Sequence, residues 1–380
     1  MKIGILTLQL INNYGGILQG FALQRYLKKQ GHEVYTISYK IPISPVIRVF
    51  SLIKRLLMKL RGREVSIRGW TTSAEDKIIN QHVNKFIREN IKQTDVINII
   101  NGLPKLQKKY SFDCIVVGSD QCWKPYPNKR IRSMFLKGLE AENIIRIAYA
   151  VSFGEDFWEY SKKQTRDCKK LVKRFDIVSV REESGISLCR DFFHIRVEHL
   201  IDPTLLIDRE EYESFINVRL NEINNNEKTI MAYILDKTSE KERIIEYMEK
   251  KLNAKRNVVE PISRFSIASK KNIHNCIVPP IEEWIRGFVQ AEYVITDSFH
   301  GTVFALIFNK PFLAIANKHR GLTRFTSLLK LFGLEERLIN NLSDITEDLM
   351  DRKIDFEKIN KIILKQRKRT DLFFNQVLSS

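Results

Sequence analysis

KIGILTLQLINNYGGILQGFALQRYLKKQGHEVYTISY, residues 2–39, carries the two periodicities that decide the fold. Ile3 to Leu8 is an apolar run with a β-branched start, as expected of a strand buried on both faces. The turn Asn12-Asn13-Tyr14-Gly15-Gly16 follows. The spacing then predicts a helix from Ile17 to Lys29, with Ile17, Leu18, Phe21, Ala22 and Tyr26 on one broad face. Gly31 is placed to end that helix, and Val34 to Tyr39 reads as a second strand. Strand, helix and strand in this order form a βαβ unit and imply a parallel sheet.

The same grammar recurs downstream. Asp113–Val117 runs into Gly118-Ser119-Asp120-Gln121, Arg146–Ala150 into Val151-Ser152-Phe153-Gly154, and Asp176–Val180 into Arg181-Glu182-Glu183. Ligands of parallel α/β sheets bind beyond the carboxyl ends of the strands, so these loops predict one shared cleft. Asn221–Lys228 (NEINNNEK) has no periodicity and reads as a linker. A second α/β series follows it, with strands at Thr229–Leu235, Asn275–Val278, Tyr293–Thr296 and Phe312–Ala316. Helices are expected at Glu240–Leu252, Glu282–Gln290 and Thr302–Phe308. The expectation is α/β, with two Rossmann-like domains facing across a cleft; one large mixed sheet is the alternative and needs an unusually wide sheet. The expected divisions are an N-terminal domain over 1–222, a C-terminal domain over 227–350 and a helical tail over 351–380.

Composition narrows the class. Of 380 residues, 43% are hydrophobic and 28% charged, which supports sizeable cores and argues against disorder. The net charge of +18 favours anionic partners. Five cysteines, none in a C-x-x-C pair, argue against a disulfide framework or zinc knuckle and fit a reducing compartment. The N-terminus lacks the small-residue cleavage site of a signal peptide, and no apolar run reaches the ~18 residues of a spanning helix. A cytoplasmic protein is expected.

The densest chemistry lies in YVITDSFHGTVFALIF, residues 293–308. A helix beginning near Thr302 would present unpaired N–H groups and a positive dipole end. Gly301 would let a ligand approach closely, and Ser298 and His300 add donors, which together suit a phosphate or carboxylate. The plainer alternative is that Thr302 merely caps the helix and His300 is a hydrogen-bonded loop residue. Lys318, Arg320 and Arg324 follow the next strand and are expected to close on the same anion. Arg181 is expected as a second clamp, or else as an ion-pair partner of Glu182 or Glu183. Asp120 and Gln121 suit a sugar hydroxyl, and Asp202-Pro203 is read as shaping a turn. The Asn13–Gly16 turn lacks both G-x-G-x-x-G spacing and a Walker lysine. No Ser-His-Asp order, carboxylate dyad or metal-ligand cluster is evident.

VIRVFSLIKRLLMKLRGR, residues 46–63, holds six Lys or Arg and no acid. At helical spacing Arg48, Arg55, Lys59 and Arg63 share one side, while Val49, Phe50, Ile53, Leu56, Leu57 and Leu60 lie elsewhere. Such a basic amphipathic helix suits the interface of an anionic membrane. The alternative is a helix packed on the domain with its basic face in water.

The segments FDCIVVGSDQCW, AYAVSFG, VSVREESG, IDPTLL, VITDSFHGTVFALIFNKPF and RFTSLLKLFGL, with the opening stretch, together resemble the polysaccharide pyruvyl transferases. The resemblance implies two Rossmann-like domains similar to the GT-B arrangement. It also implies transfer of a pyruvyl group from phosphoenolpyruvate onto sugar hydroxyls, forming a ketal, in building capsules, exopolysaccharides or cell-wall polymers. Phosphoenolpyruvate is then a co-substrate, with no cofactor and no metal expected. In the family the histidine matching His300 is central and the arginine matching Arg181 contacts the donor; from the chemistry of the donor, His300 is expected as general acid, with phosphate binding as the alternative. Many members have arginine two residues before that histidine, where this chain has Ser298. The acceptor is expected near Asn13, Gly15, Asp120 and Ser152, and a lipid-linked saccharide would give residues 46–63 a purpose at the inner membrane face. Two competing readings are a nucleotide-sugar glycosyltransferase of the same architecture and, from charge alone, a nucleic-acid binder; the latter lacks any supporting motif.

Overall fold

A computed structural model describes residues 1–41, 45–62, 65, 68, 70–125, 129–216, 227–268, 270–317 and 320–378. Two parallel sheets organise them. The first contains β1 (Lys2–Leu6), β2 (Glu33–Thr36), β5 (Cys114–Asp120), β6 (Ile145–Val151), β7 (Ile177–Val180) and β8 (Glu198–His199), in the order β2-β1-β5-β6-β7-β8. A small pair, β3 (Tyr39–Lys40) and β4 (Ile97–Asn98), lies beside it. The second contains β9 (Thr229–Tyr233), β10 (Lys255–Asn257), β11 (Tyr293–Thr296), β12 (Phe312–Ile315) and β13 (Leu338–Ile339), in the order β10-β9-β11-β12-β13. Every pairing is parallel. The middle strands are mainly apolar and are buried along their whole length, because helices cover both faces of such a sheet.

Five helices matter for the site: α1 (Tyr14–Lys29), α2 (Pro45–Leu60), α3 (Phe299–Ile307), α4 (Thr323–Phe332) and α5 (Phe356–Leu378). The terminal helix α5 crosses back to the first sheet. Tyr26 donates to Asp371 Oδ1 at 2.7 Å, Arg367 Nε to the Leu205 carbonyl at 2.7 Å, and Tyr149 packs on Phe374 at 5.0 Å between ring centroids. The lobes also meet directly. Tyr212 packs on Phe304 and Tyr14 on Trp284, Tyr14 Oη donates to the Pro279 carbonyl, and the Glu183 N–H donates to Ser327 Oγ. Gly321, at φ +86°, sits so close to Gly154 that a Cβ there would lie 2.0 Å from the Gly154 oxygen.

Several expected elements differ. Residues 275–278 form no strand; Lys270–Cys276 is a 3₁₀ helix, and the neighbour of β9 is instead Lys255–Asn257, whose polar sequence suits an edge. The expected strand Val34–Tyr39 ends at Thr36. Both site helices begin earlier than their apolar periodicity suggests, α1 at Tyr14 and α3 at Phe299, because the preceding Asn13 and Ser298 cap them. The expected linker at 221–228 lies mainly outside the described residues.

Candidate functional site

The site is built where β11 hands over to α3. Thr296 ends the strand, and the Asp297 carboxylate anchors the turn by accepting from the N–H groups of Leu235 and Asp236, from Lys241 Nζ and from Asn317 Nδ2. Ser298 Oγ then accepts from the Gly301 N–H, capping α3. His300 therefore lies inside the first helical turn. Gly301 does not open the backbone to a ligand: a Cβ there would lie 2.2 Å from Thr296 Oγ1, so its small size is needed for packing α3 onto β11. Thr302 is fully buried, and its hydroxyl donates back to the Ser298 carbonyl.

Across the cleft, α1 offers a matching terminus. Asn13 Oδ1 accepts from the Gly16 N–H at 3.2 Å, and Gly15 presents a bare Cα to the His300 ring. A Cβ on Gly15 would lie 2.2 Å from His300 Cγ and 2.3 Å from Nδ1. The other edge of the imidazole faces Asp202, with Nε2 3.7 Å from Oδ2. That distance exceeds a hydrogen bond, and Nε2 has no hydrogen-bond partner among the described residues although His300 is only 6% exposed.

Asp202 does more than shape a turn. Its Oδ1 accepts from the Thr204 N–H and hydroxyl, while Oδ2 accepts from Arg181 at 2.7 Å. Burial would raise its carboxyl pKa; His300 and Arg181 outweigh burial and hold it well below the usual carboxylate range. The other guanidinium arm of Arg181 donates to Asp120 Oδ1 at 2.9 Å. The Asp120 carboxyl is likewise lowered, because Arg181, His300 and Arg324 together outweigh its burial. Arg181 also stacks on Phe299, its guanidinium carbon 4.5 Å from the ring centroid. Arg181 is thus a buried bridge between two carboxylates rather than an open clamp, and its partners are Asp120 and Asp202, not Glu182 or Glu183.

A cavity of about 560 Å³ opens between the lobes. Asn13, Asp120, Ser298, His300, Arg320 and Arg324 line it, joined by Asp236 and Asp297. Arg320 forks onto Asp236, at 2.6 and 2.9 Å, and these hydrogen bonds hold the Asp236 carboxyl well below its ordinary range. Arg324 reaches toward Asp120 at 3.8 Å and donates to the Arg320 carbonyl. Gly15 lies beneath the His300 ring, and Ser152 is wholly buried, accepting from the Gly154 N–H. Neither Gly15, Ser152, Arg181, Gly301 nor Thr302 lines the cavity; Lys318 lies outside the described residues. A second cavity of about 400 Å³ adjoins the first at Leu235 and is lined by Asn12, Tyr14, Asp76, Asn80, Glu260 and Arg264 among others. Asn80 is 6% exposed, and its Oδ1 accepts no hydrogen bond among the described residues.

Sequence reasoning passed over Asp236 and Asp297 and gave Asp202 only a turn-shaping role. Each follows a strand at the carboxyl edge of its sheet, the position already used to select Asp120 and Arg181, and that rule applied evenly would have found them.

Comparison with known proteins agrees with this fold. The chain is similar in fold to a UDP-GlcNAc 2-epimerase from Neisseria meningitidis solved with UDP-GlcNAc, at TM-score 0.53 and 10% identity over 98% of this chain and 93% of that one. It is equally similar to a glycosyltransferase from Rickettsia africae, at TM-score 0.54 and 12% identity over 100% of this chain and 99% of that one. These likenesses show a GT-B fold of two Rossmann-like domains about a cleft. No curated protein matches the sequence. Residues 13–319, which include Asn13, Asp120, Arg181, Asp202 and His300, match the polysaccharide pyruvyl transferases, and the chain belongs to that family.

Proposed function

We propose that this chain transfers the pyruvyl group of phosphoenolpyruvate to two hydroxyls of a saccharide bound for a bacterial surface polysaccharide, forming a ketal. One observation carries the reading: a buried imidazole whose Nε2 has no hydrogen-bond partner among the described residues lines a cleft where two capped helix N-termini converge. Such termini favour an anion.

In this reading phosphoenolpyruvate occupies the 560 Å³ cavity, its phosphate toward the ends of α1 and α3 and toward Arg324 and Arg320. Arg320 must then share itself between Asp236 and the donor. His300 delivers a proton to the methylene carbon of phosphoenolpyruvate, and a sugar hydroxyl adds to C2 and loses its proton. A second hydroxyl attacks C2, also losing its proton, and the C2–O bond to phosphate breaks. Of the two protons released, one replaces that given to the methyl group and the other leaves with inorganic phosphate. Gly15 and Asp202 hold the ring from both edges, and Arg181 is a positioning residue acting through Asp202 and Asp120. Phosphoenolpyruvate is a co-substrate, and the mechanism invokes no cofactor or metal.

The acceptor enters from the second cavity, because Gly15 and Ser152, expected near it, are covered by other protein groups. Asn80, Asp76, Glu260 and Arg264 give it the mixed donors and acceptors that a pyranoside matches. Phosphate release from phosphoenolpyruvate across a panel of pyranosides, with mass spectrometry of products, tests the reading. Acceptor-dependent release with one pyruvyl ketal per turnover is expected. Turnover of a uridine or guanosine diphosphate sugar with no response to phosphoenolpyruvate overturns it in favour of glycosyl transfer.

A further inference from the structure

Helices of water-soluble domains turn their apolar stripe toward the core and their charges toward solvent. Helix α2 turns an apolar stripe outward along with its charges. Ser51, Leu52, Arg55 and Met58 are half-buried, and Arg55 Nη1 donates to the Ser266 carbonyl at 3.4 Å. Val49, Phe50, Ile53, Leu56, Leu57 and Leu60 face outward, each about half exposed or more, with Phe50 at 69% and Leu60 at 76%. At 100° per residue these six fall within one stripe, flanked by Lys54 and Arg61 on one side and Lys59 on the other. The isolated apolar side chains exposed on α5, Leu364 and Leu372, form no such stripe.

We infer that α2 is a membrane-docking helix, which lays its outward apolar stripe into the surface of an anionic lipid bilayer while Lys54, Lys59 and Arg61 meet the headgroups. The occupant is a lipid surface rather than a protein groove because the stripe is bordered by cations with no acid between residues 45 and 61. An in-plane helix needs that arrangement: apolar area enters the acyl boundary, and basic side chains reach back to anionic headgroups. No helix among the described residues is long and apolar enough to cross a membrane, so the contact is peripheral. Its placement ties it to the site. A hollow of about 700 Å³ lies between α2 and residues 266–267, lined in part by Lys54, Arg55 and Arg61. Ser266 lines both this hollow and the second cavity, which adjoins the His300 cavity at Leu235. Docking through α2 therefore puts a bilayer at the outer end of a run of hollows that ends at His300. Only this last consequence, a lipid-linked acceptor, rests on the pyruvyl-transfer reading.

Flotation with vesicles of phosphatidylcholine containing about a third phosphatidylglycerol tests the docking without any turnover. The full chain is expected to float with these vesicles and to be released by high salt. The charge variant Lys54→Gln/Lys59→Gln/Arg61→Gln is expected to lose about 100-fold in partitioning. The stripe variant Phe50→Ser/Ile53→Ser/Leu57→Ser is expected to lose binding, whereas Leu364→Ser/Leu372→Ser retains it. Unchanged thermal melting confirms that the variants are folded. Equal flotation of wild type and charge variant, or equal binding to pure phosphatidylcholine, overturns the inference. So does a stable dimer in lipid-free solution that the stripe variant dissociates while wild type ignores vesicles, since a second copy would then cover the stripe.

Discussion

The two loops that face each other across the cleft are built alike and spent differently. Each follows a strand, each ends in a polar cap whose side chain accepts from the N–H three residues on, and each places an aromatic residue first in its helix. Asn13-Tyr14-Gly15-Gly16 and Ser298-Phe299-His300-Gly301 therefore align position for position. At the third position the N-terminal lobe has Gly15 and the C-terminal lobe has His300, and these two touch. One loop supplies the imidazole ring and the other supplies the space for it. The third glycine of this set, Gly301, has a separate purpose, since its missing side chain faces Thr296 within its own lobe. Equivalent backbone geometry thus says little about role; the neighbour at the missing Cβ decides it.

The largest effect should come from the bridge that supports this contact. Arg181→Met leaves Asp120 and Asp202 buried without their shared cation, and it should lower unfolding free energy by about 3–5 kcal/mol, read by denaturant titration. Acid should attack the same support. The Asp120 and Asp202 carboxyls are depressed in the folded chain, so their contribution is present above the unfolded carboxylate pKa of about 4 and is lost as pH falls below it toward their folded values. Glu182 opposes them: burial raises its pKa, so its contribution is present below pH about 4 and declines as pH rises through its folded value. A melting temperature that falls steeply below pH 4 in wild type, and less steeply in a folded Asp202→Asn variant, is expected.

The glycine pair sharpens the comparison. Gly15→Ala should displace the His300 ring and lower kcat by about 100-fold, a part of the range typical of general acid catalysis. Gly301→Ala should instead destabilise by about 1–3 kcal/mol through overpacking against Thr296. If the two variants lose activity and stability in the same proportion, the division of labour between the loops is wrong. The caps should give the smallest effects. Asn13→Ala and Ser298→Ala should each cost about 1 kcal/mol of stability, visible as small shifts in thermal melting.

Much of this architecture was legible in the sequence because short apolar runs ending in polar, glycine-bearing loops have one economical explanation. The parallel sheets and the placing of His300 at a strand's carboxyl edge followed from that pattern. Lys255–Asn257 was not legible, since an edge strand of polar residues has no apolar signature, while the apolar tail of residues 275–278 imitated one. Gly15 and Asp202 were named, but their purpose was not visible: residues 15, 202 and 300 meet only when both lobes are assembled. Arg181 looked available because its carboxylate partners lie 61 and 21 residues away in sequence. The periodicity of residues 46–63 gave α2 two faces, yet it carried no information on which face the domain would cover.

In the proposed mechanism His300, seated on Gly15 and flanked by Asp202, is the proton donor in pyruvyl transfer. Steady-state kinetics of folded His300→Gln with phosphoenolpyruvate and a competent pyranoside tests it most directly. A kcat lowered by about 1,000-fold with the KM for phosphoenolpyruvate changed little is expected. A preserved kcat with a raised KM would contradict it and reduce His300 to a phosphate ligand.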